Sequence, residues 1–127
     1  MIALRIIAVL FAVAAVSDLR QIADAFGAGA APPTLGIEHA LVGAAALAAA
    51  VGFWRAARWA GTAALAWGVL AAIMIASLPA ILPAGDIPRA AWPGLAIGSV
   101  VVLLLAAGAA LLARRHQRHI ARQLARG

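Results

Sequence analysis

The chain has no cysteine, no tyrosine and no lysine, and its acidic residues number four: Asp18, Asp24, Glu38 and Asp86. Without cysteine there are no disulfides, no thiol redox chemistry, no thiolate metal site and no iron–sulfur ligation. Catalytic signatures are missing too: the sequence holds no HExxH, no GxSxG, no phosphate-binding glycine loop and no nucleophile with a base at usable spacing. No residue is therefore assigned a catalytic role, no cofactor is implied, and the reading leans away from an enzyme. Charge of either sign is scarce, at 11% of residues against roughly 25% in an ordinary soluble domain.

What fills the chain instead is apolar. Hydrophobic residues make up 66% of its 127 positions and the mean hydropathy is +1.04. A soluble domain of this size leaves a large share of its surface in water and could not hide so much apolar area. The fold class expected is all-α, an integral membrane bundle of four antiparallel transmembrane helices forming one domain over residues 1–127. A bilayer core of about 30 Å takes about 20 helical residues. Four segments approach that length: Ile2 to about Ile22, Leu35 to Phe53, Trp59 to Leu78, and Pro93 to Ala113. Between them lie "GAGAAPPT", "WRAARW" and "PAILPAGDIPRAAWP", which carry turn chemistry, the last of them with four of the six prolines.

Arginines flanking the spans set orientation. Arg5, Arg55, Arg58, Arg114, Arg115, Arg118, Arg122 and Arg126 fall on one side, Arg20 and Arg89 on the other, which puts both termini in the cytoplasm. All four acids map to the opposite side. With its alanine-rich, lysine-free composition the chain reads as a multi-pass protein of a bacterial inner membrane. A competing reading takes "MIALRIIAVLFAVAAVS" as a cleaved secretory signal. Arg5 is the only positive side chain of that stretch, and the cleavage would leave three spans, so the retained helix is preferred.

Helices in lipid associate through small residues and polar contacts. Gly36, Ala40, Ala44, Ala48 and Gly52 recur at every fourth position of the second span; Ala60, Ala64, Gly68, Ala72 and Ala76 do so in the third; Gly94 and Gly98 form a GxxxG in the fourth, with Ala106 and Ala110 on the same row. Such runs also arise by chance in an alanine-rich chain. Gly36, Gly52, Gly68, Gly94 and Gly98 are the candidate packing positions. Trp54, Trp59 and Trp92 fall at span ends, where indole rings anchor at the interface, and Trp67 lies in mid-span as a packing residue.

One end of the bundle gathers polar side chains. Asp18 is 13 residues from Arg5 and Glu38 is 17 from Arg55, about 20 Å and 25 Å of helix, so Asp18 lies inside the hydrocarbon and Glu38 nearer its boundary. Glu38 and His39 point about 100° apart and cannot share a face. The expected arrangement has Glu38 turned inward to meet Asp18, Gln21 or Arg20, with Arg20 pairing Asp24 one turn on. Asp18, Gln21, Glu38 and His39 are the candidate ligand or proton site, because an acid within a membrane is functional by default. The competing reading makes these residues, His39 and Asp24 above all, interface groups that reach headgroups and water.

The last segment, "ARRHQRHIARQLARG", can extend the fourth helix out of the membrane. Arg114, Arg115, Arg118 and Arg122 fix topology and attract anionic lipid at the cytoplasmic face. The basic excess is thereby explained without nucleic acid. His116 and His119 are two metal ligands at most, in an arginine cluster that repels cations, so no metal site is expected. No bis-histidine pair lies within the membrane, which speaks against haem.

An arginine early in the first helix ("ALRIIAVLF"), an acid opening the second ("GIEHALVGAAALAA"), a short basic turn ("FWRAARWAG") and two further apolar spans together make a pattern that resembles the DoxX-like group of small four-helix bacterial membrane proteins. The resemblance implies the same fold and a role in a membrane complex, sometimes linked to sulfur or quinone redox chemistry, and carries over Arg5 and Glu38 only. Ser17 and Asp18 depart from it, standing where relatives often have glycine and a basic residue. The function expected is that of an accessory or scaffold subunit, working with a membrane-protein partner or as a homo-oligomer. The alternatives are a dimeric proton-coupled transporter of the multidrug-resistance type and a quinone- or lipid-binding redox subunit.

Overall fold

The computed structural model describes residues 1–27, 32–82 and 85–125; the middle of the first and third connections and Arg126 lie outside the described residues. Four helices follow one another: α1 (Ile2–Gly27), α2 (Pro33–Trp54), α3 (Ala60–Ile81) and α4 (Trp92–Leu124), with a 3₁₀ turn over Arg89–Ala91 leading into α4. Each is long and apolar enough to cross a membrane. Neighbours in sequence pack side by side, α1 on α2, α2 on α3 and α3 on α4, whereas α1 and α4 meet only sparsely.

Three helices run past their expected ends, α1 first, which continues from Ile22 to Gly27. α3 continues through Pro79 to Ile81; a proline so near a C-terminus forgoes one helical hydrogen bond and breaks nothing downstream. At 33 residues, about 50 Å, α4 outreaches the hydrocarbon and carries the arginine segment on as continuous helix.

The inward stripes decide which residues meet. They run Leu4, Ala8, Phe11, Ala15, Asp18 on α1 and Val42, Ala46, Ala49, Phe53 on α2, all buried, with Ala106, Ala109, Ala113 on α4. These alternate steps of three and four, the spacing that keeps a seam facing its neighbour along a whole helix. A strict every-fourth-residue row gains about 40° per step and winds out of the seam. Hence Ala40 and Ala44 are exposed while Gly36 and Gly52, at the ends of that row, are buried. In α3 the row holds longer: Ala60, Ala64, Gly68 and Ala72 are buried and only Ala76 turns out.

Two glycines leave no room for a side chain beside the next helix. A Cβ on Gly52 would lie 3.0 Å from the Ala60 Cα, and one on Gly68 would collide with the Ala106 Cβ. Gly36 faces the Phe26 ring. In the GxxxG pair, Gly98 reaches only Ile75, at 4.0 Å, and Gly94 faces open space, so that motif makes no tight helix crossing here. Near the arginine-rich end, Phe11 stacks on Phe53 at 5.7 Å and meets Trp67 edge-on at 5.0 Å, which ties α1, α2 and α3 with aromatic contact. Trp54, Trp59 and Trp92 are exposed.

The α2–α3 turn is a Schellman motif: Ala57 N–H donates to the Gly52 carbonyl at 2.8 Å and Ala56 N–H to that of Phe53 at 3.2 Å. Its left-handed position is occupied by Ala56, with φ of 50°, where a Cβ costs about 1–2 kcal/mol. Glycine removes that cost but frees the unfolded chain by about 0.4–1 kcal/mol. Ala56→Gly is therefore expected to stabilise the bundle by about 0.5–1 kcal/mol, read as a rise in the detergent-unfolding midpoint.

Candidate functional site

The polar side chains far from the arginine-rich end come from α1, α2 and α3. Asp18 ends the inward stripe of α1 and is 9% exposed. It sits against Gly43, where a Cβ would come within 3.1 Å of the Asp18 Cβ. The absent side chain lets α1 approach α2 closely enough for His39, one turn earlier, to reach across. The His39 Nδ1 lies 3.0 Å from the Asp18 Oδ1, with side chains 13% and 12% exposed. One proton is shared along this contact, and the other ring nitrogen, Nε2, is left as a second functional atom.

Glu38, one residue earlier and about 100° round the helix, faces α3. Ser77 Oγ lies 3.1 and 3.3 Å from its two carboxylate oxygens and 2.8 Å from the Met74 carbonyl. One hydroxyl proton serves both acceptors, so the Glu38 contact is the weaker of the two clasps. Ser99 of α4 similarly reaches the Ala72 carbonyl of α3 at 3.3 Å while bonding its own Leu95 carbonyl at 3.0 Å. At the opposite end, Gln117 Nε2 donates to the Ala57 carbonyl at 3.3 Å. The Glu38–Ser77 and Ser99–Ala72 contacts each join two neighbouring helices, and Gln117 ties α4 to the turn beside it.

Of the four candidates from sequence, Asp18 and His39 come together, Glu38 turns to another helix, and Gln21 is exposed outside the cluster. Glu38 does not meet Asp18, Gln21 or Arg20. The reason is rotational: the face of α2 carrying Gly36, His39 and Gly43 is the one α1 can approach, and Glu38 lies beside it. Arg20 and Asp24 are exposed, and among the described residues His39–Asp18 is the only contact between a basic and an acidic side chain. Ser77 and Ser99 stand in no motif that marks them as site residues. Yet Ser77 is 17 residues from Ala60, as Glu38 is from Arg55, so the ruler that set the depth of Glu38 finds its partner.

Arg5, the other position carried by the family resemblance, lies over the Trp54 ring at 5.5 Å, a cation–π contact between the ends of α1 and α2. No group of three metal-ligating side chains occurs among the described residues, and His119 bonds Gln123 at 3.1 Å. Chemically, the cluster offers one carboxylate–imidazole pair able to hold or pass a proton, and one carboxylate–hydroxyl pair. Comparison of the chain with family models, curated proteins and solved structures finds no match.

Proposed function

We propose that this chain is an accessory or scaffold subunit of a membrane complex in a bacterial inner membrane, with both termini cytoplasmic and a membrane-protein partner or further copies of itself on its lipid-facing sides. One observation carries the reading. Asp18, His39, Glu38 and Ser77 are spent on joining α1 to α2 and α2 to α3, and none of them lines the cavity between α1, α3 and α4, whose lining side chains are aliphatic or aromatic. Polar groups used this way stabilise helix pairs and leave the outer faces free for association. The arginine bias supports the orientation, and the resemblance to DoxX-like proteins supports a role in a complex.

A second reading, proton-coupled transport, is favoured by the Asp18–His39 pair itself, since intramembrane acids commonly serve proton relays. Reconstitution separates the two. The purified chain in sealed vesicles with an internal pH dye is expected to leave an imposed pH gradient as stable as in protein-free vesicles, with or without added organic cations. A proton flux that Asp18→Asn abolishes would overturn the scaffold reading and establish transport.

A further inference from the structure

The seam between α1 and α4 contains a cavity of about 350 Å³, lined by Ile7, Leu10 and Phe11 of α1, Trp67 of α3, and Leu104 and Gly108 of α4 among others. That volume is within the range of small-molecule sites. It is smaller than one turn of α-helix with its side chains, about 400–600 Å³, so a partner helix does not fit inside. The lining runs from Leu104 to Leu112 on α4 and from Ile7 to Ala14 on α1, about 10–12 Å along each helix. The lined stretch is elongated, carries only aliphatic and aromatic side chains, and lies within the spanning parts of α1 and α4. Gly108 holds it open: a Cβ added there meets nothing within 4 Å.

The same seam has a charged end. Arg115 follows Gly108 by seven residues, which returns it to the same face of α4 about 10 Å nearer the membrane surface. Arg115 is exposed, with Arg114 and Arg118 beside it, and guanidinium groups suit phosphate oxygens. We propose that the α1–α4 seam is a binding site for one anionic phospholipid, whose acyl chain lies in the cavity against Phe11, Trp67 and Gly108 and whose phosphate meets Arg115. The chain then completes the wall that α1 and α4 leave open. This inference needs only the four spanning helices and stands apart from the scaffold reading.

Native mass spectrometry on protein delipidated in mild detergent and supplied with equal phosphatidylglycerol and phosphatidylcholine tests it. Wild type is expected to retain a single phosphatidylglycerol. Gly108→Leu and Gly108→Phe fill the cavity and should weaken that retention at least tenfold, while Gly94→Leu, which adds the same bulk at another open position of α4, leaves it unchanged. Arg115→Ala should lower the preference for the anionic lipid about fivefold, the effect of one basic residue near a membrane surface. Retention unaffected by either Gly108 variant, or a wild-type dimer that those variants dissociate with no lipid lost, would overturn the site.

A second readout holds even if a Gly108 variant folds poorly. With Trp54, Trp59 and Trp92 replaced by phenylalanine, Trp67 is the sole fluorophore, and phospholipid brominated in mid-chain should quench it. Absence of quenching in that otherwise native chain would equally overturn the proposal.

Discussion

Gly68→Ile is expected to cost the bundle about 3 kcal/mol and to part α3 from α4. Two effects oppose each other at this position. Glycine in a helix interior is worse than a residue with a side chain by about 0.5–1 kcal/mol, so substitution at an open site helps. At Gly68 the first added carbon already collides with the Ala106 Cβ, and the Val102 carbonyl oxygen stands 3.5 Å away. Ala106 is 1% exposed and on a rigid helix, so it yields only if the helices separate. Overpacking of this kind costs about 1–3 kcal/mol, occasionally more, and separation also strains the Ser99 contact to the Ala72 carbonyl. The steric loss outweighs the helical gain. Gly94→Ile, at the first glycine of the expected GxxxG but with nothing within 4 Å, is the control and should be neutral or slightly stabilising. Unfolding midpoints in a graded denaturing detergent distinguish them; equal behaviour of the two variants would refute the close α3–α4 crossing.

His39→Leu is expected to cost about 2–4 kcal/mol, more than the loss of one hydrogen bond. Interhelical polar contacts in membranes average about 0.6 kcal/mol and reach about 1.7. The larger figure here comes from what remains: Asp18, buried on the seam of α1, would keep its carboxylate with no partner among the described residues. Stranding one member of a buried pair costs about 3–5 kcal/mol in soluble proteins, and the end of the bundle nearer water moderates it. Removing both members, Asp18→Leu with His39→Leu, should recover most of the loss, because two apolar side chains of similar size suit a helix seam in lipid. The unfolding midpoints of the three variants check this order, and a double variant less stable than His39→Leu alone would oppose it.

The spans were legible in the sequence because lipid makes a simple demand. A run of about 20 apolar residues with turn residues on either side has few alternatives to a spanning helix, and α2 begins two residues before Leu35 and ends one after Phe53. Helix rotation was far less legible. In soluble helices the polar face marks the outside, but here both faces are apolar: Ile6, Leu10 and Val13 face lipid while Leu4, Phe11 and Ala15 face protein. With no contrast between faces, an every-fourth-residue glycine and alanine row looked as plausible as the three-and-four stripe the helices use. That choice decided the site. The row leads through Ala40 and Ala44, whereas the stripe, carried back three residues from Val42, reaches His39 and delivers the imidazole to Asp18. Size was a partial guide: Gly52 and Gly68 lie on the every-fourth-residue rows and meet Ala60 and Ala106 closely, whereas Gly61, 3.4 Å from the Ala110 backbone, lies on none of them.

The account rests on Asp18 and His39 acting on each other as a clasp between α1 and α2. The most direct test is a complete double-mutant cycle on Asp18→Leu and His39→Leu, with unfolding free energies measured in the same detergent series. A coupling energy of about 1 kcal/mol or more, favouring the native pair, is the predicted result. A coupling indistinguishable from zero would mean that the two residues stand side by side without holding the helices together, and would contradict the clasp.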